Sequence, residues 1–504
     1  MRHSHARPRW PWKAFTLAAA GTTVIAVTAT PAAQAATPTA GRAATLTPGQ
    51  AAGQAAAAAQ AAALSAGQAA GQAAALTAGQ GAAPTAGRAA APTARAGSSV
   101  TGWLRRHAVP LAGIDPAAPL TDLAALRPMV GDASVVGLGE STHGAAEETR
   151  LKHRTLRYLV EELGFRSIAW EEDWTVGLEV DDYLRTGKGD VNTLVRKMAR
   201  TWRTREVADV LRWLRAYNAT HEKQVRFVGV ECFATGHRAY DAVTRYVAET
   251  APGRKAELAR HMWKIRPDTA DMGAYVQWYY GVKDKKPYIR HARQAYELVR
   301  KVPHDDGDRA YELALQHARQ IVSFYEYFDQ KNIYQYRDAR AAENLRWWRG
   351  RTGDRIAYWA ASPHTAKASG MTVHAPGQPP LRFDGAGSLL RRWYGEKYRS
   401  IGFTFTRGTL AGADGRPARV PAPPRDWADA PFAAVRHAQY AVDLRASRAP
   451  AAVRAWLRTP AKMRCVAAYD PAEPEGHYMS GSSPAGWFDV IIHRQQISPP
   501  HPIT

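Results

Sequence analysis

The sequence of 504 residues predicts an α/β fold in which a mainly parallel central sheet is flanked by helices. Short apolar runs, typical of buried strands, recur from residue 134 onwards. Helical patterns separate these runs, as the connections between parallel strands require. The segment at about 237–350 is long, helical and aromatic, which predicts a large helical insertion. Its aromatic residues either pack the helices together or line a pocket for a large apolar substrate.

Each predicted strand follows from one apolar run in the chain. Five of them are expected at 134–139, 166–170, 225–230, 355–360 and 398–405, and residues 463–469 and 487–493 are candidates for the last strands. A helix at 145–163 follows the first strand, because its leucines recur at helical spacing and Gly164 ends it. Strands that are covered by helices on both faces are typical of a parallel sheet.

Residues 1–36 have the pattern of a secretory signal peptide. A basic start is followed by an apolar centre at 15–29 and by the small-residue cleavage site Ala33-Gln34-Ala35. The centre is short for a membrane span, and no later segment is apolar for long enough to cross a bilayer. We therefore expect a secreted, extracellular protein without a membrane span once the signal is cleaved; an uncleaved anchor is the alternative.

Residues 37–98 consist almost entirely of Ala, Gly, Gln, Thr and Pro. Such a tract has no large side chains to bury, so burial cannot offset the entropy of ordering it. We interpret it as a disordered spacer. The folded domain is then expected to comprise residues 99–504.

The formal net charge is +22, of which the signal peptide contributes +4 and the spacer +3, leaving +15 on residues 99–504. The basic residues are scattered among acids and aromatics, without a zinc, helix-turn-helix or RNA-binding signature. A basic surface without nucleic-acid binding is therefore expected. The oligomeric state stays open, and so does the pairing of Cys232 and Cys465, since secretion would permit a disulfide but buried free thiols fit equally well.

Acids and imidazoles stand where the predicted strands end. Glu140 and His143 follow the first strand, Glu171 the second, Glu231 the third and His364 the fourth. Because the carboxyl ends of parallel strands share one edge, where ligands bind, these side chains are expected to converge.

A carboxylate beside an imidazole suits general-base catalysis, because it orients the ring and stabilises its protonated form. The base would take a proton from a water that attacks a carbonyl. No Gly-x-Ser-x-Gly motif supplies a serine nucleophile, and Ser141 stands in a different context. A divalent metal is the alternative, but the His-Glu-x-x-His spacing is absent, so no cofactor is expected.

Several sequence blocks resemble the erythromycin esterase family. They are Gly139-Glu140-Ser141-Thr142-His143-Gly144, Glu147, Lys152-His153-Arg154, Leu159-Val160-Glu161, Gly164-Phe165, 168–174, Arg337-Asp338, Glu343-Asn344 and Trp359-Ala360 with His364. The resemblance covers about 130–495. It implies an α/β fold with the helical insertion over a cleft, and hydrolysis of a macrolide lactone ester by activated water, hence macrolide resistance.

The resemblance also implies roles for single residues. Glu140, His143 and Glu171 match active-site positions of the family. Lys152 stands where an arginine is common, and Glu231 where an aspartate is usual. The family tends to show His-Asn-x-His after the fourth strand; here Ala361 replaces the first histidine, and His364 keeps the second.

We therefore expect a secreted hydrolase of a macrolide or similar small-molecule ester. His143 would be the general base, with Glu140 and Glu171 orienting the ring and the water. His364 and Lys152 would stabilise the substrate carbonyl, and Glu231 would assist substrate binding. The alternatives are hydrolysis of another ester or envelope component, and a non-catalytic envelope-binding relative that has lost the histidine at position 361.

Overall fold

The computed structural model describes residues 94–411, 416–446 and 448–503, which all belong to one compact unit. The predicted signal peptide and the spacer as far as residue 93 lie outside the described residues. The first described helix begins at Ala94, so it starts within the last residues that composition assigns to the spacer.

The strands of the described residues are short except for two at the carboxyl-terminal end. In chain order they are β1 (Val109–Pro110), β2 (Val135–Leu138), β3 (Ser167–Asp173), β4 (Arg226–Glu231), β5 (Ile356–Trp359), β6 (Met371–His374), β7 (Leu381–Phe383), β8 (Tyr398–Ala411), β9 (Pro417–Val420), β10 (Gln439–Asp443), β11 (Ala461–Arg464), β12 (Tyr478–Ser482) and β13 (Val490–Ile497).

The central sheet has the strand order β1-β10-β13-β8-β2-β5-β3-β4. The six strands from β13 to β4 run parallel to one another, whereas β10 and β1 add antiparallel strands at one edge and β9 pairs antiparallel with β8. The mainly parallel sheet that the sequence predicts is therefore confirmed. It brings the carboxyl ends of β2, β5, β3 and β4 side by side.

A smaller antiparallel sheet has the order β11-β12-β6-β7. The strand predicted at 463–469 belongs here, where β11 already ends at Arg464. The strand predicted at 487–493 is β13, which begins at Val490 because residues 484–487 form a short helix.

Helices fill the connections between the parallel strands. They are α1 (Ala94–His107), α2 (Leu126–Val130), α3 (Ala146–Glu161), α4 (Trp174–Thr186), α5 (Val191–Lys197), α6 (Arg205–Thr220), α7 (His237–Thr250), α8 (Lys255–Ile265), α9 (Met272–Gly281), α10 (Lys286–Arg300), α11 (Arg309–Tyr327), α12 (Ile333–Thr352), α13 (Ser362–Thr365), α14 (Ala386–Tyr394), α15 (Ala451–Arg458) and α16 (Pro484–Trp487). Between β4 and β5 the regular structure of the described chain is entirely helical and includes α7–α12.

Both faces of the parallel sheet are buried, as alternation along β5 shows. Ala357 and Trp359 pack into the core on the α3 and α6 side, whereas Ile356 and Tyr358 pack into the core on the α12 and α14 side. Trp170 on β3 stacks on Trp359 with ring centroids 4.3 Å apart. These layers fix the strand ends that carry the polar residues.

The helical insertion has a core of its own, in which Tyr279, Phe324 and Tyr325 are buried against one another. Helix packing therefore accounts for these aromatic residues. Cys232 and Cys465 are buried free thiols, so no disulfide joins them. In the part of the chain that the structure describes, no helix combines the length and apolar character needed to cross a bilayer.

Candidate active site

The turn after β2 holds His143 against a buried carboxylate. Nδ1 of His143 lies 2.6 Å from Oε1 of Glu140, whose side chain is almost completely buried. Since a carboxylate accepts, Nδ1 carries the proton and donates it, which leaves Nε2 as the basic nitrogen. Among the described residues Nε2 has no hydrogen-bond partner, and the ring packs edge-on against Trp202 at 4.8 Å. The ring is thus oriented and partly open to solvent.

Lys152 on α3 lies behind Glu140 and away from solvent. Its Nζ donates to Oε2 of Glu140 at 2.7 Å and to the carbonyl of Ala360 at 3.4 Å, and it lies 4.3 Å from the ring centroid of Trp359. The side chain is fully buried, and this burial lowers the pKa of Lys152 although Glu140 opposes the shift. Both oxygens of Glu140 are therefore committed to partners, one to the imidazole and one to the ammonium group.

A second buried carboxyl group, that of Glu148, holds the backbone of the same turn. It accepts from the Ser141 hydroxyl at 2.6 Å, from the Ser141 N–H at 3.1 Å and from the Thr142 N–H at 3.2 Å. Burial raises the pKa of Glu148 to about 8. Gly139 keeps the turn close to α13, because a Cβ there would collide with the Thr365 hydroxyl.

The end of β3 places Glu171 in the centre of a charged network. Its Oε1 accepts from Arg337 Nη2 at 2.6 Å and lies 3.3 Å from His364 Nε2, while Oε2 accepts from the Ala361 N–H at 2.8 Å. Burial acts to raise the pKa of Glu171, but His364, Arg337 and His143 outweigh it and hold that pKa well below the usual range. Glu171 is therefore an anion that is fully engaged.

Arg337 connects Glu171 to the end of the neighbouring strand. Its Nε donates to Glu231 Oε2 at 2.7 Å, and its Nη2 donates to Glu231 Oε1 at 2.9 Å. Burial raises the pKa of Glu231, with Arg337 opposing the shift. This planar, two-point pairing fixes the guanidinium between the carboxyl ends of β3 and β4.

His364 on α13 is held by Asp338 from the first turns of α12. Nδ1 of His364 donates to Asp338 Oδ1 at 2.9 Å, and Asp338 also accepts from the Ala386 N–H at 2.8 Å. Burial acts to lower the pKa of His364, but Asp338 and Glu171 prevail and the pKa is raised. The protonated form of this imidazole is thus favoured.

The structure brings the predicted site residues together in two adjoining clusters. One contains Glu140, His143 and Lys152; the other contains Glu171, Glu231 and His364. Backbone groups that follow β5 join them, since the Ala360 carbonyl contacts Lys152 and the Ala361 N–H contacts Glu171. No hydrogen bond links Glu171 directly to His143 among the described residues, although His143 is close enough to lower its pKa.

The search for polar residues at the ends of predicted strands did not find two residues of the site, Arg337 and Asp338. Both lie on α12, more than a hundred residues after β4, and not at a strand end. Their one signal in the sequence is that the Arg337-Asp338 pair belongs to the blocks resembling the family. A long-range ion pair of this kind has no local pattern to reveal it.

The arrangement provides an oriented base next to a network of paired charges. An imidazole with one nitrogen fixed and the other unpartnered can accept a proton, whereas a buried protonated imidazole and a guanidinium can stabilise negative charge. In the described part of the chain, no group of three or more His, Cys, Asp or Glu side chains is placed to hold a metal ion. The base and the charged groups together can perform acid–base chemistry.

Sequence comparison matches residues 160–497 to the erythromycin esterase family. The match begins after the turn that carries Glu140 and His143. Over 129 residues the chain is 29% identical to an erythromycin esterase type II of Escherichia coli, which corresponds to 26% of this chain and 30% of that protein. The matched segments span about a third of the length of the curated relatives.

Two solved structures are similar in fold. A crystal structure of a Bacillus cereus protein has a TM-score of 0.71 and 27% identity, over 80% of this chain and 98% of that chain. An erythromycin esterase mutant in its open conformation has a TM-score of 0.59 and 17% identity, over 78% of this chain and 98% of that chain. Because the family match covers more than half of the chain, this protein belongs to the erythromycin esterase family.

Proposed function

We propose that this protein hydrolyses a lactone or other carboxylic ester with a water molecule that His143 activates. The observation that carries the proposal is the 2.6 Å contact between Glu140 and His143 Nδ1, which leaves Nε2 as the base. Nε2 takes one proton from water, and the water oxygen forms a bond to the ester carbonyl carbon. The C–O bond to the alcohol then breaks, and the imidazolium returns the proton to the leaving oxygen.

His364 is assigned to the negative charge that develops on the carbonyl oxygen. Asp338 and Glu171 favour its protonated form, so the imidazolium places positive charge beside the developing oxyanion. Nη1 of Arg337 lies 3.4 Å from Nε2 of His364, so the guanidinium adds positive charge to the same region.

Lys152 and Glu231 take positioning roles in this proposal. The fully buried Lys152 fixes Glu140, and Glu231 fixes Arg337, so neither is assigned to the substrate. Glu171 holds Arg337 and the Ala361 N–H in place beside the base.

The proposed substrate is a macrolide lactone, and the proposed location is extracellular. Family membership and the Escherichia coli relative support the substrate class. The basic, apolar and small-residue order of 1–36 supports export. Sequencing the amino terminus of the protein recovered from culture medium tests export: a start near Thr37 supports it, and an intact residue 1 contradicts it.

The hydrolysis test compares the parent with His143→Ala on a panel of macrolides and simple esters, with mass spectrometry to detect the addition of one water. We expect kcat/KM to fall about 10²- to 10⁴-fold, the usual contribution of a general base. His437→Ala, at an exposed histidine, is the matched control and keeps the parent rate. Equal rates for His143→Ala and the parent would refute the role.

Ala361 favours a second candidate function, that of a binding protein without turnover. Its backbone N–H donates to Glu171, and its methyl group takes the place where the family pattern has a histidine. The variant Ala361→His discriminates between the two functions. If the parent has no turnover and the variant gains it, the protein is an enzyme that has lost its activity. If the parent already hydrolyses the ester, it is not a binding protein without turnover. Ligand binding without turnover in both forms would refute hydrolysis.

A further inference from the structure

Two tryptophans of the helical insertion are the exposed large apolar side chains of the described residues. Trp263 on α8 is 85% exposed and Trp278 on α9 is 48% exposed. By contrast, Trp170, Trp174 and Trp359 are completely buried. Leaving an indole in water forgoes the free energy of burying its apolar surface, so clustered exposed indoles mark an interaction surface.

The two indoles are connected through Lys264 and Tyr288 on α10, because Trp263 and Lys264 line one groove, and Lys264 and Trp278 both contact the Tyr288 ring. Trp278 packs edge-on against the Tyr288 ring at 5.6 Å, and Nζ of Lys264, the residue after Trp263, lies 4.4 Å from the same ring centroid. We call the surface formed by Arg260, Trp263, Lys264, Trp278 and Tyr288 the aromatic-basic face.

The aromatic-basic face is positively charged. An open groove of about 560 Å³ between α8 and α10 is lined by Ala256, Ala259, Arg260, Trp263, Lys264 and His291, with no carboxylate among them. Among the described residues Arg260 and Lys264 form no ion pair, whereas Arg293 on α10 pairs with Glu326. These unpaired cations attract an anionic partner.

We propose that the aromatic-basic face binds the surface of an anionic phospholipid bilayer. Indoles prefer the interface between headgroups and acyl chains, and lysine and arginine beside them pair with headgroup phosphates. A bilayer supplies negative charge and apolar depth together, over an area that spans both indoles. Two copies of this face would repel each other, so charge disfavours self-association through it. The proposal does not depend on ester hydrolysis.

The test places a reporter on the face itself. An environment-sensitive fluorophore is attached to Ala259→Cys in the full chain; the buried thiols of Cys232 and Cys465 are protected from the label. Vesicles of phosphatidylcholine alone are compared with vesicles of equal parts phosphatidylcholine and phosphatidylglycerol. We expect a blue shift and a rise in emission with phosphatidylglycerol vesicles only. The same label at Glu222→Cys, at an exposed position outside the insertion, is expected to stay unchanged.

Two further substitutions in the labelled chain separate the contribution of the indole to vesicle binding from that of the positive charge. Trp263→Ser and Lys264→Glu are each expected to weaken vesicle binding, measured at residue 259, about tenfold or more. A chain held to vesicles only through residues 1–36 would leave the label at 259 unchanged, and this result would overturn the proposal. A shift that depends on protein concentration without vesicles would also overturn it, because a second copy would then cover the face.

Discussion

At the scale of single residues, the site consists of groups whose roles are set by what lies behind them. His143 is useful as a base because Glu140 fixes one nitrogen, and Glu140 stays in place because Lys152 holds its other oxygen. The sequence predicted Glu140 and His143 together, since they stand three residues apart on one turn. It could not predict that the lysine twelve residues later is fully buried behind Glu140, because that depends on the depth of α3 in the core.

Replacing Lys152 tests its positioning role. Lys152→Met leaves one oxygen of a buried carboxylate unpaired, which costs about 3–5 kcal/mol of the free energy of unfolding. We expect kcat to fall at least tenfold while KM stays within about threefold, because Lys152 does not contact the substrate. Urea unfolding and steady-state kinetics measure the two effects. Lys152→Arg, which keeps the charge, is the matched control; a large rise in KM with unchanged kcat would instead indicate substrate binding.

Asp338 controls the protonation of His364. Because His364 stabilises negative charge only in its protonated form, activity should decline as pH rises through its raised pKa. Asp338→Asn removes the main group that raises this pKa, so the alkaline decline of kcat should move to lower pH. A pH–rate profile measures the shift. Asp443→Asn, at a surface ion pair with Arg445, should leave the profile as in the parent; an unmoved profile in Asp338→Asn would contradict the role of His364.

At the scale of elements, the sequence predicted where the strands lie, but it did not predict that β3 extends into its polar residues. The run that predicted a strand at 166–170 ends at Trp170, because three acids follow. In the structure β3 continues to Asp173, since Arg337 and backbone N–H groups accommodate those carboxylates inside the protein. Buried acids of this kind are paired by elements far away in sequence, so local hydrophobicity underestimates the length of the strand.

The catalytic turn depends on Glu148 at the start of α3. With a pKa of about 8, this carboxyl stays protonated in the folded state well above the pH at which the unfolded chain loses the proton. Stability should therefore fall as pH rises from about 4.5 to about 8, with a contribution of about 1.4 kcal/mol per pH unit from this group.

Glu148→Gln isolates that contribution. Glutamine keeps an acceptor for the Ser141 and Thr142 N–H groups but cannot ionise. Between pH 5.5 and pH 8 we expect the variant to lose less stability than the parent, by roughly 1–3 kcal/mol, in urea titrations monitored by circular dichroism. Glu147→Gln, on the neighbouring residue that holds Ser498, is the control. An identical pH slope in Glu148→Gln and the parent would show that Glu148 is ionised at neutral pH.

At the scale of the whole molecule, the central sheet and the helical insertion together form the site. The parallel sheet gathers the ends of β2, β3, β4 and β5, and this convergence was predictable from the order of strands and helices. Arg337 and Asp338 come from α12, the last helix of the insertion, and could be located only once the chain was folded. The insertion thus contributes its own residues to the network that the sheet begins.

The two cysteines give a prediction about global stability. Both thiols are buried and unpaired, and burial raises the pKa of Cys465 to about 12. We expect the melting temperature to be the same with and without reductant, and thiol reagents to label the folded protein slowly and the urea-unfolded protein with two equivalents. A melting temperature that falls on reduction would show a disulfide and contradict the free thiols.

The central claim is that Glu140 acts on catalysis through His143, and a double-mutant cycle measures this most directly. The values of kcat/KM for the parent, His143→Ala, Glu140→Gln and the double variant are determined on one hydrolysed ester. Residues that act as a unit are strongly non-additive. We expect Glu140→Gln to slow the parent at least tenfold and to change the His143→Ala rate less than about threefold. Equal effects of Glu140→Gln in both backgrounds would contradict the account.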